Sequence, residues 1–430
     1  MVDKRWDSFV LLIKFRINMR WIIPIVLYVL IELYAFQVIR TISKNQWVQV
    51  LYLIFSLLVI GYVIYVFANY DRSVGPSKYS LRASGLLLVT LVPKLILVLF
   101  MFGEDIIRIC VAGYTYLTNT FFDGNATQYL PNRRKFISQL ALGVAAIPFA
   151  GLVHGIFRGK YNFKVINHVL YYEDLPNAFD GFRLTQISDI HSGSFEEVEK
   201  IEYAVDLINQ QETDLLVFTG DIVNTMASEM DDWIEIFKGL KTPSFGKYSI
   251  LGNHDYGEYV TWDTEEEKEA NFEAIKEVHS KIDFRLLLNE NAFIEKDNER
   301  IAIVGVENWG HNFKKAGDLT KASKGVVKED FKILLSHDPS HWEYEVKKHD
   351  DHYHLTLSGH THGFQFGIEI PGFLKWSPVQ YVYKQWAGMY NEMGRYLNVN
   401  RGFGFHAFPG RVGIWPEITV IELRKGSKPA

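Results

Sequence analysis

Cysteine is almost missing from these 430 residues. Cys110 stands alone, so no intrachain disulfide and no cysteine-based zinc site can form, and the redox compartment stays open. Internal repeats, heptad runs and low-complexity tracts are also absent, which removes repeat arrays and coiled coils from consideration. A basic surplus is lacking where a nucleic-acid reader would need one. Residues 161–430 hold 28 Lys+Arg against 43 Asp+Glu, whereas phosphate backbones reward dense Lys/Arg surfaces. No nucleic-acid partner is expected.

Long apolar runs, by contrast, fill the first part of the chain, where residues 1–160 hold 17 Lys+Arg against 7 Asp+Glu. The stretches 21–39, 47–67, 84–102 and 136–157 are each about long enough to cross a hydrocarbon core of roughly 30 Å as a helix. A fifth stretch, 106–122, contains Arg108 with several Thr and Tyr, and reads as a span or as an amphipathic surface helix. Basic residues collect in cytoplasmic loops. Five spans starting inside put Lys4, Arg5, Lys14, Arg16 and Arg20, then Arg72, Lys78 and Arg82, then Arg133, Arg134 and Lys135 in the cytoplasm, and only Arg40 and Lys44 outside. The expectation is therefore a membrane region over residues 1–158 with four to five helices, five being favoured. It sits in a plasma or inner membrane, with residues 159–430 on the extracytoplasmic side. "NRRKFISQLALG" (132–143) resembles a twin-arginine export signal, but it is internal and reads as a positive-inside anchor. Glu32 and Lys94 fall inside spans and read as a structural pair or the lining of a path.

From about residue 159 the texture changes to short apolar strands alternating with polar helices. The strands "FRLTQISDIH", "DLLVFTGDIVN", "KYSILGNHDYG", "IAIVGVENWG", "FKILLSHDPS" and "YHLTLSGHTHG" alternate with helical patterns such as "FEEVEKIEYAVDLINQ". The fold class is thus an α-helical membrane region followed by a layered α/β domain, where ligand sites collect beyond the carboxyl ends of strands.

Strand after strand ends in residues able to bind a metal: Asp189 and His191, Asp221, Asn253 and His254, His337, then His360 and His362. Each is weak evidence singly, since a lone His after a strand is usually a satisfied polar residue. Together they have no structural purpose that simpler residues would not serve. Carboxylates, imidazoles and an amide oxygen without thiolate suit two divalent ions, Mn, Fe or Zn. Two such ions clamp an in-line displacement at phosphorus, generating hydroxide at neutral pH and neutralising the attacking and leaving oxygens.

In order and content these motifs, D-x-H, G-D, G-N-H-D, a lone His and G-H-x-H, resemble the calcineurin-like metallophosphoesterase superfamily over roughly residues 162–422, its membrane-anchored YkuE-like branch in particular. The resemblance implies a four-layer α/β/β/α sandwich. It also implies that Asp189, His191 and His362 hold one metal, that Asn253, His337 and His360 hold the other, and that Asp221 bridges them. His254 would bind no metal; it would stabilise the transition state and help protonate the leaving oxygen.

Two positions depart from the pattern. Asn224 stands where many relatives have an Asp that steadies the catalytic His, and Phe364 stands where the branch usually has Gly. The expected function is a membrane-anchored phosphoester hydrolase acting on a phosphodiester, phosphomonoester or pyrophosphate. Phospholipids and lipid pyrophosphates are among the substrate classes. Phe364, Phe366, Phe373, Trp376, Tyr381, Tyr383, Trp386 and Tyr390 crowd the segment after the paired histidines, as an interfacial or apolar groove or as plain packing. The competing readings are a non-catalytic membrane sensor and a transporter with a regulatory domain. The spans, plain apart from Glu32 and Lys94, count against the latter.

Overall fold

The computed structural model describes residues 19–121, 133–370 and 372–428. The basic tail carrying Lys4, Arg5, Lys14 and Arg16 lies outside the described residues, as do the two positions 122 and 132 that close or open expected segments. Among the described residues, four helices are long and apolar enough to cross a membrane: α1 (Met19–Ile42), α2 (Gln46–Ala68), α3 (Lys78–Phe121) and α4 (Arg133–Phe157). Ala35, Val38, Leu97, Met101, Ala141 and Ala145 pack between helices, the three alanines letting backbones approach. Leu27, Leu51, Leu58, Leu99 and Ile147 face outward.

Glu32 and Lys94 pair. Lys94 Nζ donates to Glu32 Oε2 at 2.6 Å, to Ser56 Oγ at 2.8 Å and to Tyr28 OH at 3.1 Å, and Ser56 Oγ donates to Glu32 Oε1 at 2.9 Å. Shared donors and acceptors make two ionisable groups tolerable between spans.

The favoured fifth span is not a separate helix. Residues 106–121 continue α3 without a break through Gly103, Glu104 and Asp105, giving 44 helical residues, about 66 Å at 1.5 Å per residue. Contacts divide the described residues into two compact units: those up to Tyr62 with Leu86–Gly151, and Val63–Gly85 with the residues from Leu152 onward. Within the second unit, Thr261 N donates to Arg72 O at 2.9 Å and Arg82 pairs with Glu196 at 3.1 Å. The loop between α2 and α3 therefore packs against the α/β domain.

The domain is built on two six-stranded sheets. In the first, β1 (Lys164–Tyr172), β14 (Glu417–Lys425), β2 (Arg183–Ile187), β3 (Leu215–Phe218), β4 (Lys247–Ser249) and β5 (Arg285–Leu286) lie in that order. In the second, the order is β12 (Gly388–Glu392), β13 (Arg395–Val399), β9 (Leu355–Ser358), β8 (Phe331–Leu335), β7 (Glu299–Gly305) and β6 (Glu290–Lys296). A separate hairpin pairs β10 (Ile368–Ile370) with β11 (Leu374–Trp376).

Strand alternation explains the layers. Leu215, Val217, Ile301, Ile303, Ile333, Leu335, Leu355 and Leu357 meet between the sheets. Leu216 and Phe218 face the other way, onto Ile201, Val205 and Ile208 of α5 (Val198–Asn209), Phe237 of α6 (Ile234–Lys238) and Ile275 and Val278 of α7 (Glu265–Lys281). Ala302, Val304, Leu334 and Leu397 face Leu319 of α8 (Leu319–Ala322) and Trp342 of α9 (Ser340–Tyr344). Helices, sheet, sheet and helices make the four-layer sandwich. Where the sheets meet at their carboxyl ends there is no spare room: a Cβ on Gly359 would overlap Ser188 Oγ and the Asp189 carboxylate.

Candidate metal centre

β2, β3 and β4 run parallel with Ile187, Phe218 and Ser249 level in register, and β8 and β9 run parallel in the other sheet. The loops leaving these five strands carry all eight residues singled out above. Asp189, His191 and His362 offer ligand atoms within 4.8 Å of one another, and so do Asp221, His337 and His360. Asn253 joins the second group, its Oδ1 lying 2.7 Å from His360 Nδ1. Asp221 Oδ2 is 3.6 Å from His191 Nε2 and 3.1 Å from His337 Nε2, so it stands between the groups. Asp189, His191, Asp221, His360 and His362 all have φ between 48° and 72°. Left-handed backbone at a non-glycine residue costs about 1–3 kcal/mol each and gathers where function demands it.

Hydrogen bonds fix which imidazole nitrogens are free. His337 Nδ1 donates to Thr219 O at 2.7 Å, and its buried Nε2, without a hydrogen-bond partner, stands 3.1 Å from Asp221 Oδ2. An imidazole nitrogen and a carboxylate oxygen this close in a dry site share a cation, either a proton or a metal ion that displaces it. Asn224 Oδ1 accepts from Nδ1 of both His191 and His406, each at 3.1 Å, which frees both Nε2 atoms. His254 N donates to Asp221 Oδ1 at 2.8 Å, and its Nδ1 donates to the Asn224 backbone carbonyl at 2.7 Å. The neutral Asn at 224 therefore does not loosen His254, because a main-chain oxygen does the holding.

Electrostatics match this geometry. Burial raises the Asp221 carboxyl, but His337, His254 and His191 outweigh it and hold it well below the carboxylate range. Asp189 is lowered too, its burial outweighed by His362 and His337. Burial lowers His337, yet Asp221 and Asp189 push it up to about 10. Burial lowers His254 despite Asp221. Two fully buried carboxylates among imidazoles and an amide oxygen are a donor set that fits divalent cations of the Mn, Fe or Zn kind.

Four contributors were not foreseen. His406 stacks on His191 with centroids 4.9 Å apart and stands edge-on to His254 at 4.6 Å; its Nε2 faces the same space. Tyr383 OH lies 2.8 Å from His360 Nε2. Asp255 accepts from the backbone N–H groups of Asp221, Ile222 and Gly252 at 2.8–2.9 Å, tying two ligand loops together, and burial beside Asp221 pushes it up to about 7. Arg411, fully buried, places Nη2 3.2 Å from His362 Nδ1 and donates to Gly402 O and Gly404 O. The glycine-dense run "RGFGFHAFPGRVG" (401–413) was the available signal for His406 and Arg411.

A family model described as the transmembrane domain of probable calcineurin-like phosphoesterases matches residues 19–160. Another, described as calcineurin-like phosphoesterase, matches residues 182–364. The uncharacterized metallophosphoesterase YkuE of Bacillus subtilis is 31% identical over 301 residues, covering 68% of this chain and 98% of that protein. A transmembrane protein with metallophosphoesterase domain from Danio rerio is 29% identical over 287 residues, covering 64% of this chain and 60% of the relative. An uncharacterized metallophosphoesterase of Helicobacter pylori is 25% identical over 299 residues, covering 69% and 73%. Clustered ligands on the strand ends, four apolar helices ahead of them and these matches lead to one conclusion: the chain belongs to the calcineurin-like metallophosphoesterases, with a transmembrane domain preceding the phosphoesterase domain.

Proposed function

We propose that the protein is a dinuclear-metal-dependent hydrolase of phosphoester or pyrophosphate bonds, working at a membrane surface. The observation that carries this reading is the orphaned His337 Nε2 facing the buried Asp221 carboxylate between two ligand groups. Asp189, His191 and His362 would hold one ion, Asn253, His337 and His360 the other, and Asp221 both. When bound, the ions supply Lewis acidity to the phosphoryl oxygens and lower the pKa of water at the site.

The chain's own residues do the rest. His254, held through Nδ1 by the Asn224 carbonyl, presents Nε2 to the reacting group, where its imidazolium form stabilises developing charge and gives the Nε2 proton to the leaving oxygen, the lowered pKa making it a readier donor. His406, held through Nδ1 by Asn224 Oδ1, is placed to contact the same phosphoryl group. Tyr259 stacks on His254 at 4.3 Å, limiting the ring's rotation and the entry of water. The proposed substrate class is a phosphate or pyrophosphate borne on a lipid. It is supported by the short path from Arg411, beside His362, to Gly155 O of α4, which accepts from Arg411 N at 3.2 Å.

We place the domain outside the cytoplasm. Arg133, Arg134 and Lys135 directly precede the last span and favour a cytoplasmic start for it, against the pull of Lys4, Arg5, Lys14, Arg16, Arg20, Arg72, Lys78 and Arg82, which four crossings leave on the domain's side. Four crossings then carry the N-terminus to the domain's side.

The test uses the full chain in lipid nanodiscs with Mn²⁺, Fe²⁺ or Zn²⁺ against a phosphodiester, a phosphomonoester and a lipid pyrophosphate. Metal-dependent turnover that a chelator abolishes and re-addition restores is expected for at least one. Stoichiometric metal without turnover on any of them would leave a non-catalytic sensor.

A further inference from the structure

The hairpin β10–β11 is built inside out for a surface in water. Ile368 and Ile370 point outward on one strand and Leu374 on the other, with Phe373 at the turn exposed at 83%. The alternate positions carry the charges, and these return to the domain. Glu369 accepts from Arg401 Nε at 3.0 Å and Nη2 at 2.6 Å, and Lys375 Nζ reaches the Ala387 carbonyl and lies 4.9 Å from the Trp386 ring centroid. A strand pair facing water shows the reverse alternation, polar outward and apolar inward. Phe364, Tyr381 and Val382 extend the exposed apolar surface. Of the aromatic residues expected to share such a face, Trp386 does not, being buried with Val379 and Ile414.

The root of the hairpin leads to the last span. Gly367 N donates to Val412 O at 2.9 Å and Val412 N to Gln365 O at 2.7 Å, while the adjacent Arg411 N donates to Gly155 O. A Cβ on Gly155 would fall 2.7 Å from Arg411 O, so helix and strand touch backbone to backbone. The apolar face thus begins one strand away from the end of α4, where that helix leaves the hydrocarbon.

We infer that the β10–β11 hairpin is a membrane-embedded element: Ile368, Ile370, Phe373 and Leu374 enter the lipid leaflet beside the exit of α4, with Glu369 and Lys375 held back on the domain. Apolar side chains at an interface gain by leaving water, and the backbone groups at the turn stay within headgroup depth. Phe364, two residues after His362 and held with φ 59°, continues this face toward the metal centre.

The full chain with Cys110→Ser is reconstituted in phosphatidylcholine vesicles, with one cysteine introduced as Phe373→Cys and labelled with a fluorophore. In separate preparations Ile370→Cys, Leu374→Cys and, as a water-facing reference, Asp297→Cys carry the label. Labels at 370, 373 and 374 are expected to be quenched by phospholipid brominated on its acyl chains and shielded from aqueous iodide several-fold relative to position 297. Iodide quenching equal to that at 297, without quenching by brominated lipid, would overturn the inference. So would shielding from both quenchers together with a disulfide formed by added oxidant between unlabelled Phe373→Cys chains, which would make the face a contact between two copies. None of these readings needs hydrolysis, so they stand or fall apart from the proposed enzyme activity.

Discussion

One amide oxygen, Asn224 Oδ1, orients two imidazoles, and the backbone carbonyl of the same residue orients a third. Asn224→Asp keeps the acceptor and should bind metal within a few-fold of the parent protein. Asn224→Ala lets the His191 and His406 rings turn and should weaken metal binding by about 10–100-fold, the usual scale for groups that orient ligands; calorimetric titration with Mn²⁺ separates the two. Asp221 and His254 make a second contrast. Asp221→Asn should lose both metal and turnover, whereas His254→Ala should keep metal and lose roughly 10²–10⁴ in turnover. Elemental analysis beside the rate decides it, and equal metal loss in both variants would falsify the separation of roles. The eight residues that the structure gathers at the strand ends were legible in the sequence because each follows an apolar strand within a few positions. His406 was not, because the loop that carries it leaves β13 and wanders through 401–413 without strand alternation to mark where it returns.

Helix α3 teaches a related lesson about elements. The hydropathy drop at Gly103, Glu104 and Asp105 imitates a loop, but hydropathy reports where a helix leaves hydrocarbon, not where its backbone hydrogen bonds stop. The strands were easier to read, since buried parallel strands are short continuous apolar runs. Helix α7 supplies a prediction at this scale. Its His279 is fully buried against Ser249 of β4, with Nδ1 2.9 Å from Ser249 Oγ, and stacks beside Phe218 of β3. Burial depresses it to about 3. Between that value and about 6.5 the unfolded chain holds a proton that the folded chain refuses. Stability is therefore whole above pH 6.5 and falls as pH falls, by about 2 kcal/mol from pH 7 to pH 5 through this residue. In His279→Gln, the fall in thermal unfolding midpoint between pH 7 and pH 5 should be smaller than in the parent; an unchanged fall would assign the acid sensitivity elsewhere.

At the scale of the whole molecule, the hydrogen bond from Thr261 N to Arg72 O ties the loop between α2 and α3 to the domain, so if each of the four apolar helices crosses once, both chain ends share one side. Reporters fused before Met1 and after Ala430 should thus read the same compartment, and both should read outside if the basic cluster at Arg133–Lys135 sets the direction. Opposite compartments would break the parity; the same compartment inside would keep the parity and reverse the side. The change of texture near residue 159 marks where apolar composition ends, yet the compact unit begins earlier. Pro409 packs where a Cβ on Gly85 would lie 2.7 Å from its Cγ, and a Cβ on Gly410 would lie 2.9 Å from Ile156 N. The helix tips are walls of the loop that carries His406 and Arg411. Many anchored enzymes can be shed and go on working in solution. Here cleavage after Phe157 would strip the backing from the loop that carries His406 and Arg411, so the released fragment should be folded in its sheets but poorer in metal than the full chain.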